Sequence, residues 1–226
     1  LTNGTFTTAN QTVTCTGMTV TGNSNTKAMN WGSSTINWLA GVSPFTNSGI
    51  TNFTFDDGTS TLNIGTGGVS AQFKCFSINS GSPVQFNNVV FTAPNAFGAN
   101  KFIGGYINVA GNLTINGGYT GTTPADNRVY INAADTGTTV TITGAFTIAG
   151  ASDATPFTLW GKRGDVVATY QIVANGTISM TDVNFHHLAL GGSATWSGTR
   201  IGDAGGNTGL TPSVQRSLFW IGNGGD

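Results

Sequence analysis

The chain has 226 residues, 38% of them hydrophobic and 8% charged, with a formal net charge of −1. That balance excludes an intrinsically disordered chain and a membrane-spanning one, and leaves apolar material for one substantial core. The eight Lys and Arg residues are scattered from Lys27 to Arg216 without a cluster, so nothing draws nucleic acid or anionic lipid, and no membrane insertion is expected.

Gly occurs 34 times, Thr and Asn are abundant, and all nine acidic residues are Asp. The residues that cover exposed helix faces are scarce, whereas Thr, Val, Ile and Phe favour strands. Helix is therefore expected to be nearly absent and the chain all-β.

At the start, "LTNGTFTTANQTV" has neither the basic nor the apolar region of a secretory signal. It reads as a mature or trimmed piece, or as a chain exported by a route that leaves no such mark. Cys15 in "VTCTGMTV" and Cys75 in "FKCFSI" each sit among alternating apolar residues, far apart and without a second Cys or His at metal-ligand spacing. Buried free thiols are expected at both, and no zinc site. Asn-x-Thr sequons at Asn3, Asn10, Asn52, Asn112 and Asn175 are what a chain this rich in Asn and Thr produces by chance.

A short pattern recurs from end to end: "CTGMTV" from Cys15, "ITNFTF" from Ile50, "FNNVVF" from Phe86, "INGGY" from Ile115, "ITGAF" from Ile142 and "MTDVNF" from Met180. Its third place is Gly17, Asn52, Asn88, Gly117, Gly144 and Asp182 in turn. Those residue types adopt positive φ most cheaply, so the six positions are expected to bend the chain sharply between two short extended runs. Between copies lie strand-like runs such as "STLNIG", "KFIGGYINVAG", "NRVYINAA", "PFTLWG" and "DVVATYQIVANG". Each unit thus supplies about three short strands and cannot bury its apolar side alone.

Stacking the units, each strand pairing with its equivalent about 4.8 Å away, buries one continuous core. The expectation is a parallel β-solenoid of about six irregular turns over residues 1–200, with residues 201–226 forming a Gly-rich turn and an aromatic strand that lead into a downstream module. The alternative is an antiparallel β-sandwich, for which "INGGYTG" and "VANGTI" offer hairpin turns.

The repeated pattern resembles the right-handed parallel β-helix of the pectate-lyase-like superfamily, over roughly residues 5–200. In that family asparagines stack at one bend into a side-chain ladder, which would make Asn52 and Asn88 adjacent members. The tail from "TDVNFHHLALGG" through "GTRIGDAGGNTG" to "FWIGNGGD" is similar to a segment of long repetitive proteins of tailed bacteriophages and some bacterial surface proteins. The resemblance implies one section of a longer polypeptide, a virion appendage or surface structural role, and a location on the virion surface or outside the cell. Its expected partners are other copies or modules of the same appendage, commonly as a homotrimer, which would also cover the ends of the stack, and a cell-surface glycan.

Chemistry-bearing residues are few. His186 and His187 lie side by side on a segment read as extended, where neighbouring side chains take opposite faces and cannot share one metal. Asp182 is explained by its bend, and Asp56-Asp57-Gly58 reads as a solvated turn. Lys162 and Arg163, with Asp165, form the one local charge group, placed to contact an anionic sugar or a neighbouring subunit. No carboxylate pair suited to glycoside hydrolysis and no lyase-like cation cluster is evident. No catalytic residue, cofactor or metal ligand is therefore expected, and Lys162, Arg163, His186 and His187 are the surface-contact candidates. Trp31, Trp38, Trp160 and Trp196 would suit sugar rings if exposed, with burial the competing expectation.

The function expected is a non-enzymatic structural or adhesive section of a phage tail fibre, spike or surface fibre. The alternatives are a secreted bacterial adhesin, a polysaccharide-degrading tailspike, and an ice-binding solenoid. Ice binding would need Thr pairs such as those of "TVTCT" and "TTVTIT" on one flat face in consecutive turns, and in the sequence they recur irregularly.

Overall fold

The computed structural model describes residues 1–20, 22, 24–39, 50–65, 72–75, 83–92, 102–105, 107–117, 128–131, 139–154, 156–161 and 170–210. Among these residues there are 21 strands and no helix, and every ladder between strands is parallel.

The longest sheet has seven strands, taken in chain order: β2 (Thr12–Cys15), β4 (Thr35–Trp38), β6 (Thr61–Ile64), β9 (Asn88–Thr92), β12 (Leu113–Asn116), β15 (Phe146–Ala149) and β18 (Ile178–Met180). A six-stranded sheet comprises β7 (Gln72–Cys75), β10 (Phe102–Gly105), β13 (Arg128–Ile131), β16 (Phe157–Trp160), β19 (Val183–His186) and β21 (Gly202–Asp203). A five-stranded sheet comprises β8 (Val84–Phe86), β11 (Ile107–Val109), β14 (Thr139–Ile142), β17 (Tyr170–Ala174) and β20 (Leu188–Gly191). The remaining sheet is β1 (Gly4–Thr7), β3 (Lys27–Asn30) and β5 (Phe53–Asp56). From β7 to β20 the chain visits the six-, five- and seven-stranded sheets in a fixed rotation. Strands that follow one another in sequence thus lie in different sheets.

Register puts like on like. In the seven-stranded sheet Trp38, Ile64, Phe91, Ile115 and Ile148 share one inward column, and Ile36, Leu62, Val89, Leu113 and Phe146 share another. All ten are buried, and each large apolar side chain removed from water contributes about 1.5–3 kcal/mol. The outward column runs from Thr14 through Asn37, Asn63, Val90, Thr114 and Thr147 to Ser179. Parallel sheets are usually covered on both faces. Here the outward face is polar apart from Val90 and Ala149, and amides bond between neighbours in its columns: Asn63 Nδ2 donates to Asn37 Oδ1 at 2.9 Å, and in a neighbouring column Asn116 Nδ2 donates to Thr92 Oγ1 at 3.2 Å.

The hairpin that "VANGTI" offers does not form. β17 pairs with β14 and β20 while β18 pairs with β15, so the two flanking strands belong to different sheets. "INGGYTG" lies largely outside the described residues. Residues 201–210 continue the same sheets: β21 pairs with β19, and Thr208 bridges to Ala189.

The six bend positions divide into three kinds of corner. Asn52 and Asp182 precede β5 and β19, and both have left-handed backbones, with φ of 52° and 59°. Asn88 and Gly144 lie at entries to the seven-stranded sheet, and Gly17 and Gly117 follow its strands β2 and β12. None of these four has positive φ. The same apolar–x–small–apolar pattern arises wherever one inward row ends and the next begins, so it marks corners in general.

Asn52 and Asn88 are accordingly not ladder neighbours. Asn52 Nδ2 donates to the Ser24 carbonyl at 2.9 Å. Asn88 Oδ1 accepts from the Asn112 amide at 3.1 Å, and Asn112 Oδ1 accepts from the Ala145 amide at 2.8 Å. The residue that extends the ladder from Asn88 is Asn112. Gly144 belongs to this corner for a different reason: a Cβ there would sit 2.4 Å from the Gly111 carbonyl oxygen, and one on Gly176 would sit 2.2 Å from that of Gly144. Close backbone approach across successive strands, not backbone handedness, requires glycine there.

Candidate functional site

The histidine pair sits where β19 gives way to β20. His186 is in register with Trp160 of β16, and the two rings meet edge to face with centroids 4.6 Å apart. His187 has φ 53°, which turns its side chain back, and its ring centroid lies 4.2 Å from that of His186. The expectation that adjacent side chains take opposite faces fails because His187 is a corner residue and not an extended one. Among the described residues no three His, Cys, Asp or Glu side chains converge to hold an ion.

Burial, and then the neighbouring His187, push the His186 pKa below the usual histidine value, while Asp203 opposes the shift. Its Nδ1 is buried with no hydrogen-bond partner among the described residues. The ring is therefore held neutral at pH 7, and its chemistry is that of a packing group against Trp160.

The "GTRIGDAGGNTG" segment wraps the same corner. The His187 amide donates to the Gly205 carbonyl at 3.0 Å, Asn207 Oδ1 accepts from the Leu188 amide at 2.9 Å, and Asn207 Nδ2 donates to the Phe185 carbonyl at 2.7 Å. At the corner before β19, Arg200 reaches Asp182. By its place in the repeated pattern Asp182 needs a conformation and no charge. The structure gives it both, because its carboxylate is 1% exposed and meets the Arg200 guanidinium. The signal that could have found this was the Arg in "GTRIGD", eighteen residues downstream.

Lys162 and Arg163 lie outside the described residues, as does Asp165. Trp31, Trp38 and Trp196 are buried, so they present no face to a sugar. Trp31 packs on Phe55 and Phe86, and Trp196 packs on Phe146 and Phe185 with its Nε1 donating to the Gly191 carbonyl at 2.9 Å. Trp160 remains half-exposed beside His186.

The Asp56-Asp57 turn splits. Asp56 is exposed, and its Oδ1 accepts from the Gly58 amide at 3.0 Å, whereas Asp57 is only 7% exposed. Burial raises the Asp57 pKa, with the Asp56 charge adding to the shift. The solvated reading holds for the first aspartate and fails for the second, whose carboxyl the turn tucks under the chain. Lys27, which the sequence presents as one more scattered charge, is fully buried and donates from Nζ to the Asn25 carbonyl at 2.6 Å. Cys15 is a free, half-buried thiol whose pKa burial raises, and the side chain of Cys75 lies outside the described residues.

Comparison with protein-family models, with curated proteins and with solved structures finds no match for this chain.

Proposed function

We propose that the chain folds as a right-handed parallel β-solenoid of the pectate-lyase-like kind and serves as a rigid, non-enzymatic structural and adhesive section of a phage appendage. The appendage would be a tail fibre, spike or surface fibre, exposed on the virion or outside the cell. The observation that carries the proposal is the rotation of successive strands through three parallel sheets in unbroken register. A chain that adds one strand to each sheet per circuit advances along an axis, and parallel strands joined by a crossover are right-handed in about 98% of cases. Laddered side chains and like-on-like core columns resist bending, which suits a spacer that holds distal modules away from a particle.

Its partners in this reading are other copies or modules of the same appendage, as a homotrimer, and a cell-surface glycan. A crystal structure of the purified chain tests the fold: strands stacked in parallel sheets about 4.8 Å apart along one axis are expected, and antiparallel pairing would end the proposal. Antibodies raised against the chain test the place. Gold labelling of virion appendages is expected, labelling of bacterial surfaces would transfer the role to a secreted adhesin, and labelling confined to the cell interior would remove it.

A further inference from the structure

We infer that the outward face of the seven-stranded sheet binds a neutral, hydroxyl-rich polysaccharide laid along the direction in which the strands stack. The inference rests on the adhesive reading above and names its surface. The face is an ordered array: the column from Thr14 to Ser179 is in register across all seven strands, and a second column sets Thr12, Thr35, Thr61 and Asn88 in line beside its first half. Of the Thr pairs in the sequence, Thr12 and Thr14 lie on this face, whereas those of "TTVTIT" lie on β14 of the five-stranded sheet.

Three properties point to this occupant. No outward side chain on these seven strands is charged, so an anionic or cationic polymer finds no counter-charge there, whereas a neutral one forgoes nothing. Each strand carries at least one outward polar group, although Val90 interrupts the first column, and successive strands lie about 4.8 Å apart, which is close to the length of one pyranose unit in an extended glycan, so each strand can meet one sugar. The groups are also held before any ligand arrives. Asn63 donates to Asn37, and Asn37 Nδ2 lies 3.5 Å from Thr14 Oγ1, so little side-chain freedom is lost on binding. With Trp31, Trp38 and Trp196 buried, recognition by stacked rings is closed to those residues. Threonine methyls offer the apolar contact that sugar C–H faces need, and the hydroxyls and amides meet sugar hydroxyls.

Affinity electrophoresis of the full chain through gels containing hydroxyethyl cellulose or galactomannan, with alginate as the acidic control, tests the inference. Retardation by at least one neutral polymer and none by alginate is expected. The double variant Thr114→Asp with Thr147→Asp, which sets uncompensated charge against the ligand, should weaken retardation about tenfold or more. Gln171→Asp, on the exposed side of the five-stranded sheet, should not. Circular dichroism and melting temperature establish that both variants fold, and Thr147→Lys replaces the double variant if that one does not. No retardation by either neutral polymer, or retardation that the face variants leave unchanged, overturns the inference. So does self-association abolished by the double variant in the absence of polymer binding, which gives the face to a second copy. Each of these failures leaves the strand arrangement and the antibody labelling untouched, so the appendage reading stands or falls separately.

Discussion

Arg200 holds Asp182 through two hydrogen bonds of 2.6 Å, Nε to Oδ1 and Nη2 to Oδ2, and both residues have left-handed backbones. The partners are unequally placed: the Arg200 side chain is 48% exposed and that of Asp182 is 1% exposed. Loss of the exposed partner therefore does more harm than neutralising the buried one, because it leaves a carboxylate under the chain without its guanidinium. Arg200→Ala should lower the melting temperature at pH 7 more than Asp182→Asn, which leaves an arginine free to solvate and an amide that tolerates positive φ. Thermal denaturation of both variants at pH 7 measures the difference, and equal losses would contradict the asymmetry.

Asn52 and Asn88 occupy the same place in the repeated pattern and different places in the fold. Only Asn52 has positive φ. Valine forced into that region costs about 1–3 kcal/mol, so Asn52→Val should destabilise by that amount beyond its lost hydrogen bond. Asn88→Val should lose only its side-chain bonds, about 1 kcal/mol. Asn52→Gly separates handedness from bonding, since it keeps the first and removes the second. Urea denaturation that gives equal losses for the two valine variants would falsify the assignment of φ to their roles.

Glycine at two pattern positions is held for unlike reasons. A Cβ on Gly144 would collide with the Gly111 carbonyl, whereas one on Gly17 would meet nothing within 4 Å. Gly144→Ala should therefore cost about 1–3 kcal/mol through forced backbone movement, and Gly17→Ala should stay within about 0.5 kcal/mol. Calorimetry on the two variants checks this directly. A silent Gly144→Ala would mean that the strands at this corner can part at no cost.

The strand runs were legible because their signal is local: "TINW", "TLNI" and "FTIA" alternate apolar and polar residues, and the alternation survives any pairing partner. Parallel pairing was legible too, since the same short pattern recurs from unit to unit and like units bury a core by stacking. What the pattern could not separate was one corner from another, because Asn52, Asn88 and Gly117 satisfy the same short motif under three different constraints. The Arg200–Asp182 pair and the burial of Lys27 and Asp57 depend on which strands become neighbours, and that depends on loop lengths that vary from unit to unit. The histidine pair was misjudged for a related reason. Its geometry turns on one left-handed residue, His187, and histidine, although enriched at positive φ, adopts it in only a minority of its occurrences.

His186 makes the fold sensitive to acid. Burial, and secondly His187, lower its pKa, while the unfolded chain takes the same proton near pH 6.5. The stability contributed by the neutral ring is complete above that pH and is lost as pH falls through the lower folded-state value. The melting temperature should hold steady between pH 8 and 7 and decline toward pH 5. His186→Phe keeps a ring against Trp160 and removes the titration, so its decline should be shallower. Parallel curves for the two proteins would take His186 out of the account.

Asp57 acts in the opposite sense. Burial raises its pKa above the ordinary aspartate value of 3.8, the Asp56 charge raises it further, and hydrogen bonds from its own backbone and from Gln85 oppose the shift. The folded chain thus holds this proton more tightly than the unfolded one, so the stabilising contribution is complete below pH 3.8 and is lost as pH rises through the folded-state value. At pH 7 the charged carboxylate is a burden, and its Oδ2 has no hydrogen-bond partner among the described residues. Asp57→Asn keeps the shape and removes the charge, and should gain about 1 kcal/mol at pH 7, or about 2–4 °C in melting temperature. At pH 3 the two proteins should melt together. A gain of the same size at both pH values would trace the effect to packing and not to the buried charge.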